Sequence, residues 1–250
     1  MSVAVSEIHF FLAAAVGLLG CAVIKAVNPR WRTIERAVAG LALLGVVAGL
    51  GLSAVRRGAW PLTGTTELII ASAGAATLWH LLDKHVCQLR WGGLIYAAIA
   101  ALLIGGVVRW PVAQSASLGH SAPQTWLFPS HLALVLACGA FVEGGSLALA
   151  CLLTEIQAHG ICSEGAGRYA VLPGLPLLTA SLLLSAVAGL YTGGVYWEWT
   201  VAESWRLLAW LFHAVLWCAS VLLSWRGRRL WVLTALGLIP TLLVLTTAGR

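Results

Sequence analysis

Between two long apolar runs, the chain reads Gly193-Gly194-Val195-Tyr196-Trp197-Glu198-Trp199-Thr200-Val201-Ala202-Glu203-Ser204-Trp205. This Trp-rich segment places three indoles and two carboxylates in one short polar interval. In a membrane protein, such an interval lies at the boundary between lipid and water, where the amphipathic indole is favoured. The cluster predicts one of two arrangements: an interfacial anchor, or a flat apolar shelf that receives a flat apolar ligand.

Composition places the chain among membrane proteins. Of its 250 residues, 60% are hydrophobic and 10% are charged, and the mean hydropathy is +0.91. These values exclude the soluble classes and predict a single integral membrane domain over residues 1–250. The net charge of +6 does not indicate nucleic acid, because the basic residues lie in short loops between apolar runs. The first apolar run lacks a basic leader and a cleavage site, so we expect a retained helix.

Apolar runs long enough to span a bilayer predict an all-α polytopic fold with eight transmembrane helices. A hydrocarbon core of about 30 Å requires about 20 apolar residues per helix. The runs cover approximately residues 8–27, 37–55, 66–83, 91–109, 128–153, 172–192, 204–224 and 229–247. The six cysteines are scattered without a C-x-x-C pair, and we interpret them as small core residues rather than redox or metal groups.

The basic residues predict the orientation. An even number of helices puts both termini on one side, together with the second, fourth and sixth connections. The opposite side carries Lys25, Arg30, Arg32, Arg36, Lys84, Arg90, Arg168, Arg226, Arg228 and Arg229, against Arg56, Arg57, Arg109, Arg206 and Arg250 on the side of the termini. Because lysine and arginine near helix ends favour the cytoplasm, we expect both termini and the Trp-rich segment on the periplasmic side of a bacterial inner membrane.

A polar stripe follows the Trp-rich segment. Its members are spaced by three, four, three and four residues, which puts them on one face of a helix: Glu203, Arg206, Trp210, His213 and Trp217. Such a stripe is not expected to face lipid. Two interpretations remain open from the pattern alone, a packed polar seam between helices and the wall of a cofactor cavity.

Two further polar residues lie at membrane depth. Glu143 falls well inside the fifth run, and His80 falls near the inner end of the third run. Both are about 14 residues from the outer ends of their helices, or roughly 21 Å at 1.5 Å per residue. An ionised carboxylate is not tolerated there alone, so we expect Glu143 to be protonated or paired, with His80 as the favoured partner.

The Trp-rich segment resembles the tryptophan-rich signature of the haem-handling CcsA/CcmC family, W-G-x-x-W-x-W-D-x-x-E-x-W. The matching residues are Gly194, Trp197, Trp199, Glu203 and Trp205, while Gly193 replaces the first tryptophan and Thr200 the aspartate. Upstream, Leu175-Pro176-Leu177-Leu178-Thr179 resembles the family's F-P-L-L-T segment, and downstream Trp225-Arg226-Gly227-Arg228-Arg229 resembles its W-R-G-R-R turn. The resemblance covers a core of about residues 60–250.

The resemblance implies a haem site, with haem b as the cofactor. His131 matches an axial histidine of the family in a W-L-x-x-H context with one extra residue, so it is the expected iron ligand; the alternative is a solvated imidazole at a capped helix start. A ligand histidine needs a partner for its second nitrogen, which Ser130 or a nearby backbone carbonyl could provide. The expected cofactor-binding residues are His131, Trp197, Trp199, Glu203, Trp205, Arg206, Trp210 and His213, with His120 and His9 as the other outer-side histidines.

The arrangement expected from these residues is an outward-opening cavity. Trp197, Trp199, Trp205 and the polar stripe would form one wall, and His131 would lie at the opposite rim. Arg56, Arg57, Arg109 and Arg206 are the cations available to the haem propionates.

The chain also departs from the family. The position of a second family histidine is occupied by Cys218, with His213 five residues earlier, and the family's C-terminal G-L-H-S histidine is missing from the sequence Thr246-Thr247-Ala248-Gly249-Arg250. Two haem ligands of the family are therefore absent or moved. His131 would need a new axial partner, or the haem would be five-coordinate.

Three functions are compatible with this pattern. The first is presentation of haem to apocytochrome c on the periplasmic face, together with a CcsB-like membrane partner, as part of a cytochrome c haem-lyase system. The second is a HemX-type regulator of haem synthesis. The third is a structural subunit of a respiratory or photosynthetic complex that retained the fold without the haem. The sequence contains no G-x-S-x-G, H-E-x-x-H or P-loop motif of a soluble enzyme.

Overall fold

The structure, a computed structural model, describes residues 4–27, 31–57, 62, 64–82, 93–116, 127–155 and 166–248. The described residues fold into nine helices: α1 Ala4–Val27, α2 Arg32–Arg57, α3 Thr65–Leu82, α4 Gly93–Ala116, α5 Leu127–Glu155, α6 Ala166–Gly193, α7 Val201–Val221, α8 Arg228–Leu236 and α9 Leu238–Thr247. His120, Lys84, Arg90 and Arg250 lie outside the described residues. The all-α polytopic fold is confirmed, and the described residues form at least one helix within each of the eight predicted apolar runs.

Within the described ranges, six segments are long and apolar enough to cross a membrane on their own. They are Glu7–Val27, Thr33–Arg57, Leu127–Leu153, Leu172–Tyr191, Val201–Val221 and Arg228–Thr247. A shorter apolar helix covers Gly93–Arg109 within α4. The remaining run, α3, is short and comparatively polar, yet nearly all of it is buried between its neighbours. Its place in the membrane therefore depends on the helices around it.

The last apolar run is interrupted at Gly237, which separates α8 from α9. The Gly237 N–H donates both to Leu233 O at 3.0 Å and to Thr234 O at 3.2 Å, a shared hydrogen bond typical of a local change in helix winding. The two short helices together span Arg228–Thr247, which is 20 residues with a mean hydropathy of 2.0. One membrane crossing thus contains two helices.

Helix α5 is the centre of the bundle. It packs against α3, α4, α6, α8 and α9. In the most apolar part of its membrane-spanning segment, 83% of the residues are buried inside the protein. Gly139 allows a close approach to backbone atoms of α3, because a Cβ at this position would lie 2.7 Å from the backbone nitrogen of Ala76. Small residues permit such contacts between membrane helices. Helices α1, α2 and α4 form the adjoining part of the bundle.

Consecutive helices alternate in direction. Glu7 at the start of α1 pairs with Arg56 at the end of α2, and Lys25 at the end of α1 pairs with Glu35 at the start of α2. Leu62, just before α3, contacts His131 at the start of α5. Ser130 and Arg206 both contact the last part of α6, at Ser181 and Ser185. Leu62 and the first turns of α5 and α7 therefore lie at one end of the bundle. Which end faces the periplasm stays a prediction from the charge pattern.

Candidate functional site

The non-helical part of the Trp-rich segment is short, from Gly194 to Thr200. Trp199 has a φ of 54°, in the left-handed region that non-glycine residues seldom adopt, and its side chain is 72% exposed. Its ring meets that of Trp197 edge to face, with centroids 5.9 Å apart. The Trp197 Nε1 is buried and makes no hydrogen bond within the described residues. An unusual backbone conformation thus holds one indole outward beside another with an unused donor.

Helix α7 begins at Val201, earlier than the predicted start near residue 204. Thr200 is its N-cap, and the Thr200 Oγ1 accepts a hydrogen bond from the Glu203 N–H at 3.2 Å. The Glu203 Oε2 in turn accepts from the Glu198 N–H at 3.1 Å. Threonine therefore performs the capping that an aspartate at this position would also perform. Glu203 serves the helix start as well, so its predicted contact with a cofactor stays a prediction.

Trp205 lies in the first turns of α7, within the helix that the sequence predicted. It is partly buried and packs against the main hydrophobic core. The three indoles of the sequence cluster are therefore divided. Trp197 and Trp199 lie in the connection, whereas Trp205 joins the face that α7 presents to the rest of the bundle.

The polar stripe faces the interior, as predicted, because Arg206 and His213 are both buried. Arg206 is only 6% exposed, and its Nη1 lies 3.4 Å from Ser185 Oγ on α6. Its Nε makes no hydrogen bond, and none of the ion pairs between described residues includes it. Ser185 lies one turn along α6 from Ser181, whose carbonyl oxygen accepts from Ser130, the residue before His131. Arg206 is thus a buried cation beside His131, not an outward one as expected.

The deeper part of the stripe is a packed seam. Trp210 Nε1 donates to Thr179 Oγ1 at 2.8 Å, which ties α7 to α6. The His213 ring stacks on Phe141 of α5 with centroids 3.5 Å apart, and its Nδ1 lies 2.8 Å from Ala209 O. Trp217 packs in a small separate cluster with α8. The seam interpretation therefore describes this part of α7, while the cofactor-wall interpretation remains open for its first turns.

His131 is positioned by a contact distant in sequence. Its Nδ1 lies 2.7 Å from the carbonyl oxygen of Leu62. Since a carbonyl only accepts, Nδ1 carries the hydrogen and the lone pair of the neutral ring is on Nε2. The expectation that Ser130 could hold the ring is wrong, because Ser130 Oγ donates to Ser181 O on α6 at 2.9 Å instead. The backbone carbonyl that was the alternative partner belongs to Leu62, which lies between α2 and α3 and not beside His131 in the sequence.

The other candidate histidines are not brought to His131. His213 contacts Phe141, which is ten residues further along α5, or about 15 Å at 1.5 Å per residue, so it lies at a different depth. His9 is exposed on α1, which packs against α2 and α4. His120 falls outside the described residues. No described histidine is thus placed as a second axial ligand to His131.

Two of the four candidate cations already have carboxylate partners. Arg56 Nη1 lies 3.2 Å from Glu7 Oε1, and Arg57 pairs closely with Glu67. Arg109 is exposed near the end of α4. Arg206 is therefore the candidate whose charge is buried and uncompensated by an ion pair in the described part of the chain.

A second polar group lies in the other half of the bundle. The expected pairing of Glu143 is confirmed, because the His80 Nδ1 lies 3.7 Å from Glu143 Oε1. The sequence did not predict the rest of the group: Glu35 and Tyr96, which contact His80, and Lys25, which contacts Glu35. A signal was present, because Lys25 and Glu35 border long apolar runs, but Lys25 entered only the prediction of orientation. Within the described residues, no group of His, Cys, Asp and Glu side chains forms a metal site.

Comparison with known proteins identifies similar chains. The cytochrome c biogenesis protein CcsA of Gloeothece citriformis is 22% identical over 275 residues, which cover 84% of this chain and 83% of that protein. CcsA of Synechococcus sp. (strain CC9605) is 25% identical, over 92% of this chain and 91% of that protein. CcsA of Chlamydomonas reinhardtii is 24% identical, over 89% of this chain and 67% of that protein. No family model matches the chain, and no solved structure matches it.

Proposed function

Because this chain is a CcsA-like membrane protein, we propose that it takes part in cytochrome c biogenesis as a haem-binding component. The similar proteins cover most of the chain at low identity, so they support the process more strongly than any particular step. The finer proposal is that the chain presents haem b at the outer end of the bundle. It rests on the geometry of His131, the buried charge of Arg206 and the indoles of the Trp-rich segment.

The geometry of His131 carries the proposal. A histidine that binds a metal usually donates its other ring N–H to a carbonyl or carboxylate, which fixes the tautomer and orients the ring. His131 has this arrangement with the Leu62 carbonyl oxygen at 2.7 Å. A histidine that served only as a solvated residue at a helix start would not need a carbonyl 69 positions away in sequence. The residue therefore fits an axial ligand through Nε2.

The buried charge of Arg206 supports an anionic ligand beside His131. A buried guanidinium without an ion pair is unfavourable unless an anion reaches it, because desolvation costs several kcal/mol. Arg206 Nε has no hydrogen-bond partner in the described part of the chain, and Arg206 Nη1 contacts Ser185, one turn along α6 from the Ser181 that binds Ser130 beside His131. A haem propionate is a carboxylate of the required kind. Arg206 would thus hold a propionate while His131 holds the iron.

The indoles complete the set of side chains suited to this ligand. Trp199 is exposed beside Trp197, whose Nε1 donor is unused, and Trp205 packs just inside the bundle. Aromatic faces bind a flat apolar ring by stacking. Bound haem would supply the vinyl groups to which the cysteine thiols of an apocytochrome add. The proposed part of this chain is to orient the ring and exclude water on one side of it.

The proposal includes an orientation and partners. The charge pattern favours an inner-membrane protein with the Trp-rich segment on the periplasmic side, where an apocytochrome c would meet it. A CcsB-like membrane protein is the proposed partner within the membrane.

Absorbance spectroscopy tests the proposal directly. The full chain is expressed in haem-replete cells, purified in detergent and scanned for a Soret band, oxidised and reduced. We expect a band that is present at purification and strengthens on haem addition to a saturating, near-stoichiometric level. A chain that folds normally and takes up no haem above the level of a membrane protein unrelated to haem would contradict the proposal and favour a structural subunit.

A further inference from the structure

Five side chains from five helices form a buried network towards the end of the bundle opposite the Trp-rich segment. Its members are Lys25 of α1, Glu35 of α2, His80 of α3, Tyr96 of α4 and Glu143 of α5. All five are almost completely excluded from solvent, and Lys25 is only 1% exposed. Ionisable residues within a membrane domain are costly, and they usually mark ion or proton pathways. No contact of this network belongs to the proposed haem site.

His80 lies between two carboxylates. Its Nε2 is 3.9 Å from Glu35 Oε1, and its Nδ1 is 3.7 Å from Glu143 Oε1. Both distances exceed a hydrogen bond by several tenths of an ångström, so small side-chain rotations bring either carboxylate into reach of the ring. The His80 ring also meets the Tyr96 ring edge to face at 4.5 Å, which limits its tilt. An imidazole with one carboxyl group close to each ring nitrogen has the geometry of a proton relay.

The charges of the network explain which proton is mobile. Lys25 Nζ lies 2.8 Å from Glu35 Oε1, and the Tyr96 hydroxyl donates to the same oxygen at 2.9 Å. Lys25 and Glu35 therefore neutralise each other, with the Cys21 thiol bonded only to the Glu35 carbonyl oxygen. His80 and Glu143 are neutral together when they share one proton, either as imidazolium and carboxylate or as imidazole and carboxylic acid. Since both forms have the same net charge, exchange between them adds no charge to the buried site.

We propose that Glu35, His80 and Glu143 form a proton-transfer site that carries protons from the membrane face at the α1–α2 end to the middle of α5. A proton from water at that face reaches Nε2 through the Glu35 carboxylate. The Nδ1–H bond then breaks and an O–H bond forms on Glu143, leaving a neutral imidazole and a neutral acid. No electron moves. Glu143 then releases its proton towards the middle of the bundle and becomes a carboxylate again. Transfer of the remaining ring hydrogen from Nε2 to Nδ1, by tautomer exchange or ring rotation, resets the site.

The position of the network supports this direction. Lys25 is in the last turn of α1 and Glu35 is in the first turn of α2, so both lie at the membrane end opposite the Trp-rich segment. Glu143 is twelve residues from the end of α5, or about 18 Å at 1.5 Å per residue. The three titratable groups thus connect a membrane face with the middle of the bundle. Gly139 keeps α3 and α5 close one turn before His80 and Glu143.

Infrared spectroscopy of the full chain in lipid nanodiscs tests the proposal. We expect a carboxylic-acid C=O band that disappears in Glu143→Gln and persists in Glu198→Gln, the control at an exposed carboxylate. Transfer into D2O shifts this band as the acid proton exchanges. Because proton transfer requires a group within hydrogen-bond reach, His80→Asn and Glu35→Gln should slow the exchange at least about tenfold. Tyr96→Phe, which keeps both acids and the imidazole, should change it less than about threefold.

Two results would overturn the proposal. One is the absence of a Glu143 acid band at every pH at which the protein stays folded, because the carboxyl would then never accept the proton. The other is exchange in His80→Asn or Glu35→Gln that is as fast as in the wild type, because protons would then reach Glu143 by another route. If His80→Asn does not fold, the exchange rates of Glu35→Gln and Tyr96→Phe test the proposal instead. Both substitutions alter contacts of the Glu35 carboxylate, but only Glu35→Gln removes its ability to carry a proton.

Discussion

The imidazole of His131 is tied through Nδ1 to the carbonyl oxygen of Leu62 at 2.7 Å, which joins the start of α5 to the segment before α3. This contact leaves Nε2 as the nitrogen with a lone pair. It also fixes the ring against a backbone group, which cannot rotate away as a side chain can. The position of His131 is therefore a property of the packed bundle and not of the local sequence.

We expect His131→Ala to remove or shift the Soret band of the purified protein while leaving its expression unchanged. The substitution deletes the proposed axial nitrogen without disturbing the core, because the side chain is only partly buried. His9→Ala and His80→Ala are the controls, and both should keep the wild-type spectrum. Loss of the band in His80→Ala with a normal band in His131→Ala would move the haem site to the inner half of the membrane.

Arg206→Met should weaken haem retention about 10- to 100-fold, the equivalent of a charge-assisted hydrogen bond of about 1.5–3 kcal/mol. The protein without haem should be as stable as the wild type or more stable, because the variant removes a buried charge that lacks an ion-pair partner. Haem titration and thermal unfolding measure the two effects. Arg56→Met, at a cation paired with Glu7, is the control. A loss of stability without any change in haem retention would make Arg206 purely structural.

Trp199→Ala should weaken haem retention by roughly 2- to 10-fold, as expected for one aromatic contact of about 0.5–1.5 kcal/mol. Trp199 is 72% exposed, so its removal should not alter unfolding of the protein. Trp225→Ala, at an exposed indole at the other end of α7, is the matched control. Equal haem retention in the two variants would leave the indoles of the Trp-rich segment with an anchoring role only.

Thr200→Ala should lower the free energy of unfolding by about 1 kcal/mol, because it removes the N-cap of α7. Thr200→Asp, which introduces the residue found in the family signature, should retain the wild-type stability. Denaturant titration in mild detergent, followed by circular dichroism, measures both. Destabilisation by aspartate equal to that by alanine would show that the capping hydrogen bond is not what Thr200 contributes.

Gly139→Ala should destabilise the bundle by about 1–3 kcal/mol, because its new methyl group would lie 2.7 Å from the backbone of Ala76. A backbone atom cannot move aside as the end of a flexible side chain does, so α3 and α5 must separate. Gly40→Ala on α2 is the control, since nothing lies within 4 Å of its Cβ position. Thermal unfolding compares the two, and an unaffected Gly139→Ala protein would show that the helices approach less closely.

A reporter enzyme that works only in the periplasm should be active when it is fused after Arg250. A reporter that works only in the cytoplasm should be inactive at the same position. The basis is the greater number of basic residues on the opposite side, which favours retention of that side in the cytoplasm. A fusion within the connection after α7, near Arg226, should give the opposite result. Cytoplasmic activity of the C-terminal fusion would reverse the orientation and place the Trp-rich segment inside the cell.

The sequence alone determined the class of the protein and much of its helix plan. Apolar length and helical periodicity are local properties, so they identified the eight runs and the inward face of α7 that carries Arg206 and His213. Depth along two helices was enough to predict the pairing of His80 and Glu143, since residues at equal depth can meet. Local capping chemistry at Thr200, however, moved the start of α7 from about residue 204 to Val201.

Only the tertiary structure decided which groups face each other. Helix rotation and neighbour choice depend on packing among residues far apart in the chain, and short connections do not specify them. This packing gave His131 the Leu62 carbonyl rather than Ser130 as its partner. It left Arg206 buried without an ion pair in the described part of the chain. It also joined five helices through one buried network of Lys25, Glu35, His80, Tyr96 and Glu143. Because a polar group in a membrane must find its partner inside the protein, the arrangement of the helices determines whether it is satisfied or remains available for a ligand.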